Sequence, residues 1–103
     1  MPTFVVRNII SPRFREAHFE ALKGDSKLPE DIAPHADAHL KYLKDLKAKG
    51  KVLIGGPIVD FTWGLLILRA ESIEEAKELA GNDPAFKMGL HLDFEVIPWY
   101  HRV

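Results

Sequence analysis

The 103-residue chain contains no cysteine. Disulfides, thiolate metal sites and a cysteine nucleophile are thereby excluded, and the composition is compatible with a reducing compartment. Charge of one sign is also missing: 14 Lys and Arg stand against 15 Asp and Glu, for a formal net charge of -1. A chain so balanced has no field with which to hold a phosphate backbone, so no nucleic-acid partner is expected. No apolar run approaches the length that spans a bilayer. Met1-Pro2-Thr3 leads into a strand-like pattern rather than a charged segment followed by a long apolar one. Neither a secretory leader nor a membrane role is therefore expected, and the expected location is cytoplasmic. Internal repeats and low-complexity segments are absent as well.

What is present reads as one globular domain over residues 1–103. Hydrophobic residues make up 47% and charged residues 28% of the chain, enough for one core but with little apolar surplus. The segment TFVVRNII (residues 3–10) is β-branched and aromatic and predicts a strand. Ser11-Pro12 predicts a helix start, and Phe14, Ala17, Ala21 and Leu22 carry that helix to a break at Gly24-Asp25-Ser26. Pro29 can open the next helix, with Pro34 in its first turns. The strongest helical pattern is Ala36, Leu40, Leu43 and Leu46, continuing to Gly50. KVLIGGPIV (residues 51–59) predicts a second strand with a bulge at Gly55-Gly56-Pro57. FTWGLLILRA (residues 61–70) predicts a third, with Asp60 in the turn between them. Ser72-Ile73-Glu74-Glu75 matches a capping box at the head of a helix that ends at Gly81. A short turn of helix after Asp83-Pro84 precedes a fourth strand, Leu90 to Tyr100. Its alternation places Leu90, Leu92, Phe94 and Val96 on one face and His91, Asp93 and Glu95 on the other.

The order is β-α-β-β-α-β, an α+β, ferredoxin-like plan with an antiparallel sheet. Both helical regions lie on one face of that sheet. The other carries Leu65 and Ile67, or Leu66 and Leu68, and needs its own cover. A second copy of the chain is the simplest cover, so a homodimer is expected.

The five histidines are the informative polar residues. At about 100° per residue His39 falls inside the apolar stripe, between Leu43 and Leu46. It is either a packed core histidine or an acid–base group at the floor of a pocket, and its position alone favours the former. His35 and His39 form an H-x-x-x-H pair without a third ligand or an H-E-x-x-H pattern, so no metal is expected. Asp83 before Pro84 suits a helix cap, and it can also orient a histidine. His91 and Asp93 read as interface or solvent residues, and His18 and His101 as exposed. Gly55-Gly56-Pro57 lacks phosphate-loop spacing. The lysines from Lys41 to Lys51 read as a solvated face.

His39-Leu40, Gly50, Gly55-Gly56-Pro57, Gly64, Ser72-Ile73-Glu74-Glu75-Ala76, Asp83-Pro84, Gly89 and Pro98-Trp99 together resemble the YciI-like (YCII-related) proteins. The resemblance runs from about His35 to Trp99. It implies a dimeric α/β barrel in which two ferredoxin-like sheets meet across the dimer. It also implies a catalytic His–Asp pair, matched here by His39 and Asp83, in a small pocket. His35, Leu43 and Phe86 are the candidates to contact substrate around that pair. Ala36 stands where members often carry Arg, and Ala85 stands between Asp83-Pro84 and the aromatic Phe86. The segment from Pro12 to Pro34 is longer and richer in proline than in the family. One branch of the family resembles dehydrochlorinases of chlorinated hydroxyquinols.

The leading expectation is a cofactor-independent enzyme of lyase, dehydrochlorinase or isomerase type, acting on a small organic molecule. The alternatives are a non-catalytic ligand-binding or interaction domain, and a muconolactone-isomerase-like or cofactorless monooxygenase activity. Fold alone does not choose among them.

Overall fold

The computed structural model describes residues 2–23 and 27–103 of the chain. Strand β1 (Thr3–Ile10) follows its alternation: Phe4, Val6, Asn8 and Ile10 are buried and the residues between them are half-buried or exposed. Ser11 ends the strand and caps the next helix, its Oγ accepting from the Phe14 amide at 3.2 Å. Helix α1 (Pro12–Leu22) carries its proline in the first turn, where no donor is needed, and buries Phe14 and Ala17. The expected break at Gly24-Asp25-Ser26 lies outside the described residues.

Helix α2 (Ala33–Ala48) begins after Pro29. The Pro29 carbonyl accepts from the Ile32 and Ala33 amides in a turn, and Pro34 sits in the first turn of the helix. Its end needs a glycine. The Gly50 amide bonds to the Lys47 carbonyl and the Lys51 amide to the Leu46 carbonyl, a closure that puts the residue at Gly50 at φ +76°. Strands β2 (Val52–Pro57) and β3 (Trp63–Arg69) follow. In the turn between them the Asp60 carboxylate accepts from the Thr62 amide and hydroxyl. Helix α3 (Ile73–Gly81) is capped by Ser72, whose Oγ accepts from the Glu75 amide at 3.2 Å. The reciprocal half of the box gives way to an ion pair, Glu75 to Lys51 at 2.9 Å. A one-turn helix, α4 (Pro84–Lys87), leads through Gly89 into β4 (His91–Trp99).

The sheet order is β2-β3-β1-β4, and every pairing is antiparallel. This is the ferredoxin-like α+β architecture. All four helices cover one face. Leu46 and Ala80 pack on Val6, Leu66 and Leu68; Phe14, Ala17 and Ala85 pack around Ile10; Ala76 packs on Phe4. No helix among the described residues is long and apolar enough to cross a membrane. The opposite sheet face has no cover among the described residues: Ile54, Ile97 and Trp99 are exposed, and Val5, Ile9, Leu65 and Ile67 are half-buried.

Two bulges differ from expectation. In β2 the register shifts between Val52 and Ile54, not at the glycines. Gly55 answers a different need, since a Cβ there would collide with the Leu66 side chain. In β4 Ile10 pairs with His91 but Ile9 pairs with Asp93, which leaves Leu92 as an extra residue. Leu92 is therefore exposed at 59%, and His91, expected to share the outer face with Asp93, is buried at 4% exposure on the helix-covered face.

Candidate active site

The bulge in β4, the second turn of α2 and the head of α4 converge at one end of the sheet. Asp83 is the N-cap of α4, its Oδ1 accepting from the Ala85 amide at 2.9 Å. It is 2% exposed, and a carboxylate so buried needs partners for both oxygens. His39 supplies the other. Its Nδ1 lies 2.7 Å from Asp83 Oδ1 and 2.8 Å from Oδ2. An ionised carboxylate only accepts, so Nδ1 carries the proton and donates. Both readings of Asp83, cap and histidine partner, hold at once. The Tyr42 hydroxyl donates to the Leu79 carbonyl at 2.7 Å; burial, and then the charges of Asp83 and Glu78, push its pKa up.

His39 opens onto a cavity of about 80 Å³. Asp83 does not line it, so the carboxylate stands behind the imidazole and leaves Nε2 as the nitrogen available to a ligand. The polar wall is Asn8, His18, His39 and His91, and the apolar wall includes Ile10, Phe14, Leu43, Phe61 and Leu66. The His39 and His91 rings meet edge to face, centroids 5.0 Å apart. Burial first, and His39 second, pull the His91 pKa down to about 4. The His18 Nδ1–H donates to the Phe14 carbonyl at 3.1 Å, and its ring lies 5.2 Å from that of Phe61. Phe61 holds φ at +58°, the left-handed region, in a residue other than glycine. A larger open groove of about 1130 Å³ at the far end of β1 is lined by Lys49, Lys51, Arg69, Trp99 and Tyr100 among others. None of the residues paired at the first cavity lines it.

Of the side chains expected to contact substrate, Leu43 lines the cavity and His35 and Phe86 do not. His35 lies one helical turn before His39, in a separate depression with Asp31 and Met88. Ala85, with its small side chain, takes the buried position in α4. That turns Phe86 the other way, edge-on to Phe94 with ring centroids 5.0 Å apart. The candidate metal ligands are likewise a different set from the His35–His39 pair. His39, Asp83 and His91 each offer an atom within 4.8 Å of the others, compact enough for an ion. His39 and Asp83 already satisfy each other by hydrogen bonding, with no ion needed between them.

Three residues of the wall depart from the sequence reading: Asn8 was not singled out, His18 was expected to be exposed but is half-buried, and His91 was expected at the interface or in solvent but is buried. Asn8 had a signal, a polar residue on the buried register of β1. His18 had one too, four residues after Phe14 and so on the same helix face. His91 had none, because a bulge residue is invisible in the alternation that it interrupts.

Comparison with known proteins adds the relatives. A family model of the YCII-related domain matches residues 13–100. The uncharacterized protein YjpA of Bacillus subtilis (strain 168) is 34% identical over 55 residues, a stretch covering 53% of this chain and 65% of YjpA. The match thus spans just under two thirds of that relative's length. Among solved structures, 5-chloro-2-hydroxyhydroquinone dehydrochlorinase (TftG) from Burkholderia phenoliruptrix AC1100, in complex with 2,5-dihydroxybenzoquinone, superposes with a TM-score of 0.65. It is 28% identical, and the superposition covers 97% of this chain and 95% of that one.

Proposed function

The chain belongs to the YCII-related domain family, and on that premise we propose that it is a small-molecule enzyme of lyase or isomerase type in which His39 moves the proton. One observation carries the reading: both oxygens of a buried carboxylate lie at 2.7 and 2.8 Å from His39 Nδ1, behind a ring that lines a cavity. That arrangement meets the geometric requirement for an oriented acid–base imidazole. Asp83 holds the tautomer with the lone pair on Nε2 and stabilises the imidazolium once Nε2 is protonated.

The substrate class is a small oxygenated ring, in line with the dehydrochlorinase neighbour and its bound dihydroxybenzoquinone. Nε2 takes a proton from a ring hydroxyl or an acidic C–H, and the bonding pair moves into the ring. In an elimination that pair expels an anion such as halide, the imidazolium passes its proton to water, and the acid HX leaves overall. In an isomerisation the same proton returns to another carbon. No cofactor enters either sequence. The proposed partners are this small molecule and a second copy of the chain on the open sheet face.

The test is chloride release from chlorinated hydroxyquinols, followed by a screen of lactones. His39→Gln is expected to lower kcat by about 10²- to 10⁴-fold, the usual contribution of a positioned acid–base group. Asp83→Asn keeps an oxygen for the Ala85 amide but offers an N–H to His39, which reverses the tautomer. It should fold and lose most activity. Normal turnover by His39→Gln would end this reading. Thermal shifts without turnover would make the protein a binding domain, and oxygen uptake with a quinol would make it a monooxygenase.

A further inference from the structure

His91 is a buried group of this cavity whose chemistry the acid–base pair does not use. The bulge at Leu92 turns it inward, it is 4% exposed, and it shares the cavity wall with His39. Its Nδ1 is sealed from solvent and has no hydrogen-bond partner among the described residues. A buried N–H without an acceptor is rarer and costlier than a bare lone pair. The ring proton therefore belongs on Nε2, the nitrogen left for the cavity. We propose that His91 is a second substrate-contacting residue, a neutral imidazole whose Nε2–H donates to a hydroxyl or carbonyl oxygen of a flat single-ring ligand held beside His39.

The charge state follows from its neighbours. The titratable groups that face it are His39 on α2, Asp83 at the head of α4 and His18 on α1. Asp83 is the one anion among them, and its oxygens are already taken by His39 and the Ala85 amide. Among the described residues no carboxylate bonds to His91, and burial opposes its protonation. Two adjacent histidines thus divide the labour. His39, backed by a carboxylate, cycles its proton, while His91 stays neutral and holds an oxygen in place. The rest of the wall fits a planar oxygenated ring: Phe14 and Phe61 give aromatic surface, and Asn8 gives an amide. A ligand lacking the oxygen opposite His91 leaves the buried donor unpaired and is disfavoured on that ground.

This assignment rests on the cavity being the ligand site, as in the reading above, and its test is separable from turnover. The probe is 2,5-dihydroxybenzoquinone, titrated by calorimetry against the full chain. His91→Phe keeps a flat ring and removes the donor, and it is expected to weaken binding about tenfold. His91→Asn, which keeps an N–H, recovers part of the loss, while toluene binds wild type and His91→Phe alike. Independently of any ligand, ¹⁵N spectra of the histidine rings should show His91 as the neutral Nε2–H tautomer from pH 6 to 8. Unchanged affinity in His91→Phe, a charged or Nδ1–H ring in the spectra, or a wild type that binds no dihydroxybenzoquinone would overturn the assignment. So would stoichiometric binding of Zn²⁺ that His91→Phe abolishes, since the ring would then be a metal ligand. If His39→Gln stops turnover while His91→Phe changes neither affinity nor KM, this inference fails and the acid–base reading stands. If His91→Phe weakens binding but no substrate turns over, the reverse holds.

Discussion

At the scale of single residues, Asp83 and His91 show how burial makes a side chain's partners decide its chemistry. Asp83 has two, the Ala85 amide and His39, so its carboxylate oxygens are hydrogen-bonded at 2% exposure. His91 has none at Nδ1 among the described residues, and burial moves its pKa from the usual 6.5 down to about 4. This shift has a thermodynamic consequence. Between pH 6.5 and about 4 the unfolded chain protonates this ring and the folded chain does not. Stability therefore falls as the pH drops through that window, by about 3 kcal/mol from this group when complete. Urea unfolding at pH 7 and pH 4.5 should show a steeper loss in wild type than in His91→Phe. Equal losses would mean that the ring charges freely in the folded state.

At the scale of elements, two glycines end helices in the same way with different consequences. Gly50 closes α2 at φ +76° and Gly89 closes α4 at φ +78°, and neither has an atom within 4 Å of where a Cβ would stand. Substitution by Ala therefore costs backbone strain without a clash, about 1–2 kcal/mol at each site. Gly50→Ala, at the end of α2 far from His39, is expected to lower the urea midpoint and leave dihydroxybenzoquinone affinity unchanged. Gly89→Ala should lose similar stability and weaken affinity as well, because Leu90 and His91 follow it directly into β4. Equal effects on binding would show that the entry to β4 does not set the position of His91. Most elements were legible because their signals are local. Ser11-Pro12 and Ser72 cap helices through bonds to amides three residues on, and β1 runs over the residues that its composition marks. The bulge in β4 was not legible, because it depends on how Ile9 and Ile10 meet a strand more than eighty residues away.

At the scale of the whole molecule, the sheet has one finished face and one open face. Ile54, Ile97 and Trp99 are 65%, 44% and 41% exposed there, beside the half-buried Val5, Ile9, Leu65 and Ile67. Arg7 and Glu95 cross the same face as an ion pair at 3.6 Å. A patch of this composition on a chain with little core surplus favours self-association. Sedimentation at micromolar concentration should therefore give a dimer. Ile97→Lys should shift it to monomer and lower its stability, because a buried ammonium in the interface has no partner. A wild-type monomer would leave the open face without an explanation.

The sequence by itself determined the order of elements, the antiparallel plan, the apolar stripe containing His39 and the cap at Asp83. Each depends on periodicity or on groups within a few residues, and such patterns are written along the chain. The tertiary structure alone decided that His39 and Asp83, 44 positions apart, meet at 2.7 Å. It also decided that His91 turns inward beside them, and that His35 and Phe86 point away. Those outcomes depend on the rotation of α2 and α4 against the sheet and on a single extra residue in β4. They are set by how whole faces pack, a quantity to which every element contributes and which no local stretch of sequence contains.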